Sequence, residues 1–129
     1  MRRTLRSPGR ARQRDWLYGV SEIEWSTVPD VAEALGVEVT KVRQYLREGK
    51  LLAVREDDGP LRIPAAFVQD GAIVKHLPGV ITLLRDARYG DDEAIRWLYA
   101  DDGLPGSPIE ALRENRGTEV KRRAQALGF

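Results

Sequence analysis

Two glycines 13 positions apart, Gly36 and Gly49, constrain this chain more than any other feature, because each closes a short run with helical spacing of apolar residues. Upstream of the first, Thr27 is placed to cap a helix, Pro29 falls in the first turn where its missing N–H does no harm, and Asp30 suits the positive end of the dipole. Val28, Val31, Ala32 and Leu35 then share one face, and Gly36 is the stop. A second helix is expected from Val39 to Glu48, with Val39, Val42, Tyr45 and Leu46 apolar, and Gly49 stands where a left-handed C-cap is favoured. Leu51 to Arg55 look like a strand, Glu56 to Pro60 are dense in turn residues, and Leu61 to Ile63 form a return strand before Pro64. Two short helices, a tight turn and a hairpin make a winged helix-turn-helix, assigned to residues 27–66.

The rest of the chain, residues 67–129, is expected to be a helical C-terminal subdomain. Around Gln69-Asp70-Gly71 a second small hairpin and a helix from Ala65 into Val68 fit equally well. Pro78 opens a helix through Asp86. Asp91 and Asp92 cap another, with Ile95, Leu98 and Tyr99 as its stripe. Ser107-Pro108-Ile109-Glu110 is a capping box that starts a helix through about Asn115. Gly117 breaks it, and Thr118 restarts a last helix to Leu127. Asp101 to Gly106 is a linker. The fold class is thus mainly α with a small β-wing.

Composition narrows the chemistry. The 129 residues are 42% hydrophobic and 32% charged, as in an ordinary soluble globular chain. No apolar run approaches the roughly 18 residues of a spanning helix, so no membrane role is expected. With no cysteine and one histidine, disulfides, thiolate metal sites and cysteine nucleophiles are excluded. The acid pairs Asp57-Asp58, Asp91-Asp92 and Asp101-Asp102 fall in turns or at helix starts, where short carboxylates serve the backbone. His76 has no carboxylate or nucleophile motif beside it and is read as a surface or packing residue. No phosphate loop, dinucleotide fingerprint or paired-histidine motif is present. Neither catalysis nor a cofactor is expected.

The formal net charge of +1 averages two opposed parts. Residues 1–14 form an arm with Arg2, Arg3, Arg6, Arg10, Arg12 and Arg14 and no acid, a charge of +6, which leaves −5 for the remainder. Such blocks are usually disordered and bind polyanions. The arm has neither the apolar stretch of a secretory signal nor the alternation of a transit helix, so a cytoplasmic, nucleoid-associated protein is the simpler reading. Residues 15–26 (DWLYGVSEIEWS) are an aromatic lead-in without decisive periodicity, read as a flap packed on the next domain, with an exposed partner-binding or base-stacking surface as the alternative. Within the acidic body, Lys41, Arg43, Arg47 and Lys50 against Glu48 give the second helix a local charge of +3.

A helix of this width fits the B-DNA major groove. Thr40, Lys41 and Gln44 are candidates for base-edge contact, Arg43 and Arg47 for phosphate positioning, and Arg55 and Arg62 flank the wing. The acidic wing tip (Glu56, Asp57, Asp58) argues against close contact with a phosphate backbone. Double-stranded DNA is the expected partner.

The run Val28 to Asp57, VPDVAEALGVEVTKVRQYLREGKLLAVRED, resembles the winged helix-turn-helix of the MerR and excisionase-like superfamily, with Arg62-Ile63-Pro64 as the return strand. From about Val28 to Phe129 the chain is similar to a small actinobacterial family of DNA-binding proteins known from mycobacteria, through VKHLPGVITLLRDARYGDDEAIRWLYADD and EVKRRAQALGF. The resemblance implies DNA binding by the second helix and wing, with Thr40, Lys41, Arg43, Gln44 and Arg47 on the recognition surface and Tyr45 in the aromatic slot. The long dimerisation helix and effector domain of MerR regulators are missing here, so effector sensing is not implied. Two further expectations concern partners. The C-terminal helices, residues 78–129, offer a protein-binding or homodimer surface, and an antitoxin-like or adaptor role through them is the alternative reading. Thr4 and Ser7, set among arginines, are candidate phosphorylation sites for a Ser/Thr protein kinase.

Overall fold

A computed structural model of the chain describes residues 23–55, 57–100 and 106–128. The arm, the start of the lead-in, Glu56 at the wing tip, most of the Asp101–Gly106 linker and the terminal Phe129 lie outside the described residues. The element order is β1 (Trp25–Thr27), α1 (Val28–Leu35), α2 (Val39–Arg47), β2 (Val54–Arg55), β3 (Leu61–Pro64), a 3-10 turn (Ala65–Phe67), β4 (Val68–Gln69), β5 (Ala72–Ile73), α3 (Leu77–Asp86), α4 (Asp91–Tyr99), α5 (Pro108–Arg113) and α6 (Gly117–Ala126).

Local chemistry accounts for the first helix pair. The Asp30 N–H donates to Thr27 Oγ1 at 3.1 Å, which satisfies one of the orphan donors at the start of α1. At its end Gly36 adopts φ +71°, and the Val37 and Gly36 N–H groups donate back to Ala32 and Glu33. The end of α2 repeats the device: Gly49 has φ +77°, Lys50 donates to the Tyr45 carbonyl at 2.9 Å and Gly49 to that of Leu46 at 3.3 Å. Both ends are Schellman motifs, which need the left-handed conformation glycine takes without steric cost.

The sheet differs from the expectation in two ways. Its strand order is β1-β3-β2, antiparallel, with Trp25 opposite Pro64 and Val54 opposite Arg62. The end of the aromatic lead-in is therefore a strand, running directly into the Thr27 cap. The first wing strand is also shorter than Leu51 to Arg55. Leu51 and Leu52 are fully buried and leave pairing to Val54 and Arg55 alone, because their side chains are part of the core. Past β3 both readings of the next segment hold at once: a 3-10 turn, then a hairpin whose Asp70 and Gly71 have φ +55° and +77°, as a type I′ turn requires.

The C-terminal helices lie close to expectation, with shifts at their ends. Gly90, not an aspartate, occupies the N-cap of α4. Its N–H donates to Glu93 Oε1 at 2.8 Å, while Asp91 and Asp92 sit in the first turn. The Ser107–Glu110 box forms at the start of α5, which ends at Arg113. Gly117 does not break the chain but is the first residue of α6; it is buried, and a Cβ there would meet the His76 ring at 2.5 Å. His76 is thus a packing residue. One hydrophobic cluster runs through both halves, from Val31 and Val42 through Leu52, Ile63 and Phe67 to Leu84, Leu98, Leu112 and Val120. It ties the helix-turn-helix to the helices behind it.

Candidate nucleic-acid interface

Burial of Val42, with Val39, Tyr45 and Leu46 packed beside it, turns one side of α2 to the core. At 3.6 residues per turn the opposite side carries Thr40, Gln44 and Arg47 in one line, with Arg43 on one flank and Lys41 on the other. Thr40, Lys41, Arg43 and Arg47 are exposed and Gln44 is partly so. The expected recognition residues therefore share one outward ridge.

The ridge is organised by Glu48, the one acid among the four cations of this stretch. Gln44 Nε2 donates to Glu48 Oε2 at 2.8 Å, and Lys50 Nζ lies 3.4 Å from Glu48 Oε1. The hydrogen bond from Gln44 in the first place, with Lys50 and Lys41 adding to it, holds the Glu48 carboxyl below the ordinary glutamate range. Lys41 and Lys50 also stand over the Tyr45 ring, at 5.3 and 5.7 Å from its centroid. Tyr45 is a platform for two cations rather than a free stacking surface. The four-residue spacing of Gln44 and Glu48 was the available signal for the first of these contacts.

At the wing Arg55 Nη1 donates to the Gly59 carbonyl at 2.7 Å, which closes the turn and occupies part of its guanidinium. Arg62 is half-buried, opposite Val54 on one side and Thr27 on the other. Asp57 and Asp58 are exposed at the tip. The basic character thus belongs to α2 far more than to the wing. The arginines of the arm, with Thr4 and Ser7, lie outside the described residues.

Elsewhere, a shallow depression of about 300 Å³ is lined by Tyr89, Glu93, Arg96, Trp97 and Ala100, all on or beside α4. Among the described residues no group of three or more histidine, cysteine or acidic side chains could hold a metal ion, and no helix is long and apolar enough to cross a membrane.

Comparison with known proteins is decisive at this point. Residues 18–68 match the family model of the winged helix-turn-helix domain of DNA-binding protein Rv2175c, and residues 74–128 match that of the Rv2175c C-terminal domain of unknown function. The DNA-binding protein Rv2175c of Mycobacterium tuberculosis is 43% identical over 115 residues, covering 79% of each chain. The chain belongs to the Rv2175c family. The fold agrees: the NMR structure of Rv2175c superposes with a TM-score of 0.69 at 38% identity, over 96% of this chain and 98% of that one. The small mycobacterial-type family expected from the sequence is the one found, and its winged helix-turn-helix with a helical C-terminal region is the architecture described above. In Rv2175c-family terms, β1 to β3 and the α2 ridge fall in the first domain and α3 to α6 in the second, with the hairpin turn between them.

Proposed function

We propose that this Rv2175c-family chain binds double-stranded DNA in a sequence-selective manner, as a transcriptional regulator does, by laying α2 in the major groove. The observation that carries the reading is the single outward line of Thr40, Gln44 and Arg47, flanked by Arg43 and Lys41, on a helix whose other side is held in the core. The name and matched domain of the M. tuberculosis relative support it. Gln44 is the natural base reader: with one amide hydrogen on Glu48, its oxygen and second N–H remain for an adenine edge. Arg43 and Arg47 have the reach and fixed charge to neutralise phosphates on either side of the groove. The arginine arm adds affinity that depends on salt and not on sequence. A phosphate on Thr4 or Ser7 would add roughly −1.5 to −2 charges and weaken that contribution.

Selection of bound duplexes from a random pool tests the reading. Enrichment of a defined site is the expected result; retention without enrichment would mean general coating of DNA. On the enriched site, Arg43→Ala combined with Arg47→Ala is expected to make the slope of log K against log salt shallower by roughly 1.8, and removal of residues 1–14 by up to about 5. Affinity that the double substitution leaves unchanged refutes the placement of α2.

A further inference from the structure

The second half of the chain matches a domain without an assigned role, and it reaches the end of α2 at one defined place. Gly49, the left-handed residue that terminates α2, is buried, and the Arg85 side chain from α3 occupies the space where its Cβ would stand. A Cβ on Gly49 would stand 2.6 Å from Arg85 Nη1, 3.3 Å from Cζ and 3.9 Å from Cδ. The guanidinium is held from behind by Asp91 in the first turn of α4, Nη2 donating to Oδ1 at 3.3 Å. A second tie joins the base of the wing to α5. Arg113 Nη1 donates to the carbonyls of Ala66 at 2.8 Å and Val68 at 3.0 Å, and Gln69 Nε2 donates to the Arg113 carbonyl at 3.3 Å.

From this geometry we infer that the C-terminal domain sets the position of the DNA-reading helix, and that Arg85 is the positioning residue through which it acts on α2. The inference rests on the reading of α2 as the recognition helix. Its physical basis is twofold. A fixed cation next to the last turn of α2 complements the partial negative charge of the carbonyls there. The Arg85 side chain, filling the space beside Gly49 where a Cβ would stand, also blocks the rocking that a helix end closed by one glycine would otherwise permit, and that motion would shift Thr40 and Gln44 relative to the base edges. Arg85 is already engaged by Asp91 and by Gly49, so it acts through the helix and not by adding a phosphate contact. Arg113, through the Ala66 and Val68 carbonyls, holds the wing side of the same frame.

The test uses the full chain with Arg85→Ala, Arg85→Lys, Gly49→Ala and the milder Asp91→Asn, each checked by circular dichroism and melting. Affinity is measured for the enriched duplex and for a scrambled duplex of the same length, across salt. The expected result is a loss of about 5- to 10-fold on the enriched duplex for Arg85→Ala and Gly49→Ala, of the size typical of energetic coupling between domains. The scrambled duplex should lose little, the salt slope should not change, and Arg85→Lys should fail to restore binding because an ammonium lacks the planar fork that both fills the space beside Gly49 and reaches Asp91. Asp91→Asn, whose fold is least at risk, should give a smaller loss of the same pattern. Equal loss on both duplexes with a slope shallower by about 0.9 would make Arg85 a phosphate contact and overturn the proposal. Lowered melting with unchanged affinity for the enriched duplex would reduce Arg85 to a stability role and also overturn it. A wild-type chain that enriches no duplex overturns the reading of α2 itself, and this inference with it.

Discussion

Replacing Glu48 with glutamine should make the protein bind DNA more tightly. The carboxylate sits on the outward side of α2, 3.4 Å from Lys50 Nζ, and both side chains are about half exposed, at 40% and 49%. It therefore spends the charge of Lys50 and places a negative group beside the ridge that would face phosphates. Glutamine keeps the shape and can still accept from Gln44, so the ridge geometry persists while Lys50 is released. One additional phosphate contact steepens the slope of log K against log salt by about 0.9, which corresponds to a gain of roughly eightfold at 0.1 M salt that vanishes near 1 M. Because the carboxyl is held below its ordinary range, it stays charged throughout a neutral assay, and only the substitution removes the charge. Fluorescence anisotropy on the enriched duplex at several salt concentrations gives both quantities, with melting as the control, expected unchanged for so exposed a pair. An unchanged slope would place Glu48 away from the phosphates. A drop in affinity confined to the enriched duplex would show instead that Glu48 itself reads a base, as a carboxylate accepting from cytosine N4 would.

Burial pushes the Tyr99 hydroxyl up to about 12 from an ordinary 10. The folded state then holds the proton that the unfolded chain gives up, so stability is intact below pH 10 and falls between pH 10 and 12 by on the order of 1 kcal/mol per unit; Tyr99→Phe should flatten that part of the curve in alkaline melts. Ser107→Ala removes the side-chain acceptor for the Glu110 N–H at the start of α5, with an expected cost of about 1 kcal/mol and a melting point lower by roughly 4 °C. Arg88 ends α3 at φ +72°, a conformation that costs an L-residue about 1 kcal/mol or more, so Arg88→Gly should raise the melting point by a few degrees.

Those helix ends also explain how far the sequence could be read. Where the stop is chemical and local, it was visible: Thr27 before Val28, Gly36 and Gly49 at left-handed positions, Asp70-Gly71 in a two-residue turn, Ser107 with Glu110. Asn115, also left-handed, is of the type that takes this conformation after glycine, and the stop there was visible too; where the same conformation is imposed on Arg88, no residue type announces it. The strand at Trp25–Thr27 was hidden for a related reason. Three residues carry no period, and their only signature is pairing with β3 far along the chain. Leu51 and Leu52 have strand composition but are consumed by the core. Gly117 has the type of a breaker, yet it opens a helix because the His76 ring occupies the space of its missing side chain. The ridge on α2 was legible from helical spacing and charge. Glu48 as its organiser was half legible, through spacing from Gln44. Arg85 and Arg113 were not, since both act across the boundary between the two matched domains.

Charge and position contribute to selectivity by separate routes, and the two sets of variants distinguish them. Non-specific affinity grows with each neutralised phosphate, whereas discrimination comes from groups aimed at base edges. Outside the arm, a body that carries −5, with acids at the wing tip and one at the end of α2, adds little to the first term. Glu48→Gln raises the first term, so both duplexes should bind better and their affinity ratio should stay nearly constant. On the proposed reading, Arg85→Ala disturbs only the aim of Thr40 and Gln44 at the base edges, so the ratio should fall while binding to the scrambled duplex holds. A steeper salt slope at constant ratio in Glu48→Gln, and a lower ratio at constant slope in Arg85→Ala, are what the proposed reading role of α2 requires; a ratio unchanged in both variants would mean that α2 contributes charge alone.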